Sequence, residues 1–165
     1  MSTPATPSCP ADLRPIIIGC QGLKLTAEER AIIAGERPLG LIVFARNVDE
    51  PEQLSALVAE FREAAGNPYA PVLIDQEGGR VRRLKPPHWG VVPPAGTIGR
   101  LHAKDPAAGL TAARLTGRLI GHDLISLGID VNCAPVADIR FAHAHEVIGD
   151  RAYCADPVKV AALAG

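Results

Sequence analysis

The chain has little of several things, and each shortage excludes a class of function. Its four cysteines, Cys9, Cys20, Cys133 and Cys154, are scattered through 165 residues with no Cys-x-x-Cys pair. Neither a disulfide framework nor a cysteine-based zinc site fits that spacing, and reduced thiols are the expectation. Cys20 and Cys133 read as buried thiols serving as small apolar side chains. Aromatic residues make up only 4% of the sequence, too few for a surface on which successive bases stack. The net charge is −1 with both signs interspersed, so neither a nucleic-acid nor a membrane partner is indicated. No apolar run approaches membrane-spanning length, and the N-terminus lacks a basic stretch followed by an apolar one. A cytoplasmic protein is therefore expected.

What is present is the composition of a globular domain: 47% apolar and 21% charged residues, in a length that can bury one core. Residues 1–14 read as a flexible tail and residues 15–165 as the domain. Pro15–Gly19 is a short β-branched run and a first strand. Thr26 and Glu29 form a capping box that opens a helix through about Ala34. Leu39–Phe44 is a continuous apolar run suited to a strand buried on both faces. Pro51 stands at a first helical position, and Leu54, Leu57, Val58 and Phe61 recur at helical spacing until Gly66-Asn67-Pro68 stops them. Val72–Ile74 is the next strand. Between Lys85 and Gly99 the text is too rich in Pro and Gly for a regular element. A helix then starts near Asp105-Pro106, with Leu110, Ala113, Gly117, Ile120, Leu124 and Leu127 along one face and Gly128 at its end. Ile129–Val136 reads as a strand that turns irregular, and Asp156-Pro157 caps a last helix.

This alternation argues for α/β architecture built from parallel units. No G-x-G-x-x-G follows the first strand, so the dinucleotide-binding variant loses its main support. In a (β/α)8 barrel the chemistry gathers at the carboxyl ends of the strands. Polar residues fall there in four segments: Arg46-Asn47, Asp75-Gln76-Glu77, Asn132 with Asp138, and the loop around Arg151. A full barrel needs roughly 250 residues, so the expectation is the N-terminal portion of a TIM-type barrel, truncated at about half its length.

The densest chemistry lies in Leu73–Leu84, where two carboxylates face three arginines across Gly78-Gly79. Asp75 should project from the end of its strand, either to accept paired hydrogen bonds from sugar hydroxyls or to cap a turn. Glu77 reads as the partner of a neighbouring arginine or as a cap on backbone amides. The glycine pair suits a tight turn better than a phosphate cradle, since no Gly-Lys-Ser/Thr follows. Arg80 reads as a residue that holds the loop. His143 and His145, with Glu146, form no complete metal-ligand set, and no metal is expected. His88-Trp89 fits loop or core packing better than sugar stacking.

Four segments, Leu41–Asn47, Ile74–Leu84, Val131–Asp138 and Val147–Tyr153, follow one another in an order that resembles the bacterial β-N-acetylhexosaminidases of the third glycoside hydrolase family. The resemblance runs from about Ile16 to the last residue. It implies a cofactor-free, retaining hydrolase that removes N-acetylglucosamine from peptidoglycan-derived anhydro-muropeptides during cell-wall recycling. By the same resemblance Asp75, Arg83 and Arg151 are the substrate-binding residues. The family's Lys-His…Pro-Gly-His-Gly segment and its aspartate nucleophile have no counterpart here, so no catalytic residue is expected among these 165. The chain alone is then expected to self-associate and to be inactive. A non-catalytic sugar-binding half-barrel and a β-glucosidase of the same family are the alternatives.

Overall fold

The computed structural model describes residues 13–141, 143 and 145–165. Residues 1–12 of the expected tail lie outside the described residues, while Arg14, placed at its end, is instead the first residue of β1. Four strands, β1 (Arg14–Ile18), β2 (Pro38–Val43), β3 (Val72–Ile74) and β4 (Val131–Asn132), form one parallel sheet in the order β1-β2-β3-β4. Leu41 pairs with Val72, Val43 with Ile74, and Ile74 with Asn132. Helices α1 (Ala27–Glu36) and α2 (Pro51–Ala64) connect the first three strands. Helices α3 (Ala95–Lys104) and α4 (Pro106–Ser126) connect β3 to β4, and α5 (Pro157–Ala164) follows β4. This is the α/β order of the first four units of a parallel barrel.

Local chemistry accounts for most of these elements. The Thr26 hydroxyl accepts from the Glu29 amide at 3.1 Å, and the Glu29 carboxylate accepts from the Thr26 amide at 2.8 Å. Pro51 opens α2, whose Leu54, Leu57, Val58 and Phe61 are all buried. They pack in one cluster with Leu41, Val43, Val72 and Ile74 of the two central strands. At the amino end of the sheet Arg62 ties α2 to β3 and β4. It donates to the carbonyls of Ala70 and Gly128 at 3.1 and 2.9 Å and to the Asp130 carboxylate at 2.8 Å. β1 is more open than its apolar text suggests, with Ile16 and Ile17 exposed, because an edge strand has a neighbour on one side only.

Three expectations need correction. The stretch up to Gly99 was expected to be irregular, yet α3 begins at Ala95 with Pro94 as its N-terminal cap residue. Its glycines are there for approach: a Cβ on Gly99 would overlap the Tyr153 carbonyl, and one on Gly96 would crowd the carbonyls of Asp150 and Ala152 at 3.1 and 3.3 Å. Of the face expected on α4, only Ile120, Leu124 and the following Leu127 are deeply buried, whereas Gly117 is exposed. The last strand keeps only Val131 and Asn132, because β3, its partner, ends at Ile74.

The glycines of α3 and α4 should therefore respond oppositely to alanine. Gly99→Ala is expected to lower the stability of the chain by about 1–3 kcal/mol through overpacking. Gly117→Ala, which meets open space, is expected to raise it by about 0.5–1 kcal/mol by improving helix propensity. Thermal or urea denaturation of both variants checks this, and shifts of equal sign would refute the packing role of α3.

Candidate functional site

The site begins where β3 stops. The Asn132 side chain takes over from the ladder: its oxygen accepts from the Gln76 amide at 3.0 Å and its nitrogen donates to the Gln76 carbonyl at 2.9 Å. Beside it the Cys133 amide donates to the Ile74 carbonyl at 2.8 Å. With Gln76 held, alternation along the extended chain sends Asp75 and Glu77 out and Gln76 in. The buried Gln76 oxygen accepts from the amides of Arg83 and Leu84 at 2.7 and 3.0 Å, and its nitrogen donates to the Leu84 carbonyl at 3.2 Å.

Between these anchors the chain makes a tight turn. The amides of Glu77 and Gly78 donate to the Val81 carbonyl at 3.0 and 3.2 Å, and the Gly79 amide donates to that of Val92 at 2.9 Å. Gly78 and Gly79 have φ values of +100° and +55°, and a Cβ on either would strike Pro93 or Pro94 at 2.6–2.7 Å. The glycine pair shapes the turn, as its sequence suggested. Gln76 thereby brings the backbone of Arg83 back over the end of β3, and the Arg83 Nη2 donates to Asp75 Oδ2 at 2.7 Å. The Arg83 Nε is buried without a hydrogen-bond acceptor, an unusual state for a buried donor.

The two remaining loop arginines differ. Arg80 donates through Nη2 to the carbonyls of Glu146, Val147 and Ile148 at 3.0, 2.6 and 3.2 Å, and its Nε meets Asp150 at 3.2 Å. It holds the loop, as expected. Arg82 has no polar partner among the described residues. Arg151 meets Glu77 as a two-pronged fork, Nε to Oε2 at 2.8 Å and Nη2 to Oε1 at 2.7 Å, and Nη1 donates to the Val147 carbonyl at 3.3 Å. Glu77 is thus the partner of an arginine 74 positions away. That hydrogen-bonded pair raises the Arg151 pKa further, with added pull from Asp138 and Asp75, so the guanidinium is a permanent cation beside Asp75.

All three residues expected to bind substrate, Asp75, Arg83 and Arg151, therefore stand at the carboxyl end of the sheet. They form two ion pairs rather than three free groups. Arg83 lines one cavity of about 350 Å³, and Arg151 with Glu77 lines another of about 320 Å³ that runs down the apolar face of α4 and α5. Asp75 lines neither. An aspartate whose second oxygen makes no bond to Arg83 can accept hydrogen bonds from hydroxyls, and both guanidinium groups keep N–H donors.

Other expectations resolve as scaffold or are overturned. Asn47 is wholly buried, donating to the carbonyls of Cys20 and Gly22 at 3.1 and 2.8 Å and accepting from the Phe44 amide at 3.0 Å. Arg46 donates to the same Cys20 carbonyl at 2.8 Å and lies over the Phe44 ring. No group of three metal-ligating side chains occurs among the described residues, and His145 Nδ1 accepts from the Val147 amide at 2.9 Å. Trp89 is buried in the core cluster. Cys20 is buried as expected, but Cys133 is exposed. The pairing of Ile74 with Asn132 puts the next residues, Asp75 and Cys133, side by side past the end of the ladder. Partial burial, then the charge of Asp75 and a hydrogen bond to it, then the charge of Glu77, push the Cys133 thiol above its ordinary pKa. Sequence reasoning missed Cys133 at the site; its place directly after Asn132 was the available signal.

The profile for "Glycosyl hydrolase family 3 N terminal domain" matches residues 11–165. A β-hexosaminidase of Aromatoleum aromaticum is 37% identical over 158 residues, which is 96% of this chain and 44% of that protein. One from Bordetella avium is 35% identical over 91% of this chain and 42% of its own length. The chain thus spans less than half the length of these relatives. Among solved structures, NagZ from Neisseria gonorrhoeae in complex with N-trifluoroacetyl-D-glucosamine superposes with a TM-score of 0.85 at 33% identity, over 91% of this chain and 44% of that one. A family 3 β-N-acetylglucosaminidase from Paenibacillus sp. gives 0.76 at 34% identity, over 93% and 28%.

The contact between Cys133 and Asp75 predicts a pH effect. A thiol with a raised pKa carries less thiolate at a given pH, so its alkylation is slow. Asp75→Asn removes the negative charge, lowers the thiol pKa and should speed modification of Cys133 by iodoacetamide at pH 8 several-fold. Mass spectrometry of the Cys133 peptide gives the rate, and an unchanged rate would separate the thiol from Asp75.

Proposed function

The chain belongs to glycosyl hydrolase family 3, and from that premise we propose that it is the substrate-holding part of a β-N-acetylhexosaminidase. The substrate is an N-acetylglucosamine-terminated, peptidoglycan-derived anhydro-muropeptide, and the setting is cytoplasmic cell-wall recycling. The observation that carries this reading is the Asp75–Arg83 pair at the mouth of the sheet, in which Arg83 bonds one aspartate oxygen and keeps a buried donor unserved. Support for the sugar comes from the relatives, which include β-hexosaminidases and a structure in complex with an N-acylated glucosamine.

Asp75 accepts hydrogen bonds from adjacent ring hydroxyls, and Arg83 braces the carboxylate while turning its remaining donors to the ring. Arg151, fixed by Glu77, presents its spare N–H groups from the other side. An arginine fork serves hydroxyl or acetamido oxygens with less freedom than a lysine would. Retaining hydrolysis needs a nucleophile and a proton donor flanking the scissile bond. Asp75 and Glu77 are each engaged by a guanidinium, which suits holding. The bond-breaking pair is assigned to the portion that the longer relatives carry beyond the matched region.

In an enzyme that completes this chain with that portion, Asp75→Ala should lower kcat/KM for p-nitrophenyl N-acetyl-β-D-glucosaminide about 100-fold, since lost positioning of this kind commonly has that cost. The 165-residue chain alone should release no p-nitrophenol. Near-normal kinetics in the variant would remove Asp75 from the site, and turnover by the chain alone would place the catalytic pair within it.

A further inference from the structure

Arg151 is held twice, and the two grips come from the two ends of one turn. Glu77, before Gly78-Gly79, takes the tip of its guanidinium at 2.7 and 2.8 Å. Arg80, after them, takes the backbone on which Arg151 stands. The Val147 carbonyl accepts from Arg80 Nη2 at 2.6 Å and from Arg151 Nη1 at 3.3 Å. The Ile148 carbonyl accepts from Arg80 Nη2 at 3.2 Å and from the Arg151 amide at 2.9 Å. The two arginines thus share two acceptors, and the Arg80 Nε reaches Asp150, the residue just before Arg151, at 3.2 Å.

The segment around Arg151 has little else to fix it. Residues 149–151 form one turn of 3-10 helix, whose hydrogen-bond geometry is poorer than that of an α-helix. The remaining hydrogen bonds of residues 146–148 stay within the same stretch of chain. They join Arg140 to Glu146, His145 to Val147 and Ile148, and Arg151 to Val147 and Ile148. Among the described residues, Arg80 is the only group from outside that stretch to bond the three carbonyls of residues 146–148. Its ion pair with Asp150 joins side chains 48% and 46% exposed, and such a pair contributes little by itself. The weight of Arg80 therefore lies in the carbonyls it gathers.

We propose that Arg80 is a positioning residue for sugar recognition and that it acts through Arg151. Arg80 sets the root of Arg151 while Glu77 sets the tip, so the spare N–H groups of that guanidinium are presented in one orientation. The inference rests on the reading of Arg151 as a sugar contact, and it adds a residue that touches no substrate. Arginine suits the task, because one planar fork meets three carbonyls through Nη2 and a carboxylate through Nε. A lysine ammonium is a flexible point charge and holds such a set less rigidly.

The test is a mutant cycle in the completed enzyme, with p-nitrophenyl N-acetyl-β-D-glucosaminide as substrate. Arg80→Met should lower kcat/KM about five- to tenfold, the range for groups coupled in one hydrogen-bond network. The loss should sit in KM, whereas a smaller folded fraction would lower kcat and leave KM alone. Arg80→Lys, which keeps the charge without the fork, should fall between the wild type and Arg80→Met. The second background combines Arg151→Met with Glu77→Gln, so that neither charge of the pair is stranded. There Arg80→Met should change kcat/KM less than about twofold, because the group it positions is already gone. Losses that multiply across the two backgrounds, or an unchanged KM in Arg80→Met, would overturn the positioning role and leave the hexosaminidase reading in place. A wild-type enzyme that does not cleave the substrate would overturn both.

Discussion

The mouth of this sheet is registered by two hydrogen bonds between the Asn132 amide group and the Gln76 backbone. β3 is only three residues long, and its neighbour offers a side chain where further strand would have offered a peptide. With Gln76 fixed, the alternation of an extended chain decides three destinations at once. Asp75 goes to Arg83, Gln76 goes inward to the Arg83-Leu84 backbone, and Glu77 goes to Arg151. A slip of one residue would bury the aspartate and expose the glutamine. Gln76 therefore governs the site although no ligand needs to touch it: its amide sets where the backbone of Arg83 lies, and that sets whether a guanidinium can reach Asp75.

The elements written in local chemistry were legible in the sequence. A capping box at Thr26, a proline at the first turn of α2 and its four buried apolar residues are short-range features, and they appear as read. So does the parallel α/β order. The misreadings share a cause. α3 looked like loop because glycine and proline are poor helix formers, yet Gly96 and Gly99 are selected by the backbone at residues 150–153 that lies against them. Such a neighbour is invisible to propensity. Cys133 likewise looked like core because free cysteine usually is, whereas the end of the β3–β4 ladder carries it out beside Asp75.

The ion pairs show a similar division between near and far. Glu77 was expected to find a neighbouring arginine, yet it is Asp75 that does, eight positions on. Glu77 ignores all three. The glycine turn carries Arg80 away to the carbonyls of residues 146–148, while alternation points Glu77 to the opposite side from Gln76, where the loop holding Arg151 arrives. Glu77 and Arg80 thus hold the same loop from the two ends of that turn, one through Arg151 and the other through the Val147 carbonyl. The sequence therefore revealed which residue types would meet at the mouth, and the turn determined which of them did.

The two arginines assigned to sugar are left in unequal states, and the inequality is informative. Arg151 spends its fork on Glu77, whose side chain is only 9% exposed, so it cannot turn toward a ligand without stranding a nearly buried charge. Breaking such a pair is strongly destabilising. Under the proposed reading Arg151 is consequently a rigid contact, able to offer only hydrogens not already spent on Glu77. Arg83 is held to Asp75 by one nitrogen and keeps a buried Nε with no acceptor, a state that costs about 1–3 kcal/mol. Gln76, buried alongside, has both its oxygen and its nitrogen bonded. A fold that satisfies the glutamine and leaves the adjacent guanidinium unserved has concentrated its polar deficit at the group nearest Asp75. If a ring hydroxyl draws Asp75 and Arg83 into a shared network, that deficit can be relieved on binding, which makes Arg83 the adaptable half of the grip and Arg151 the fixed one.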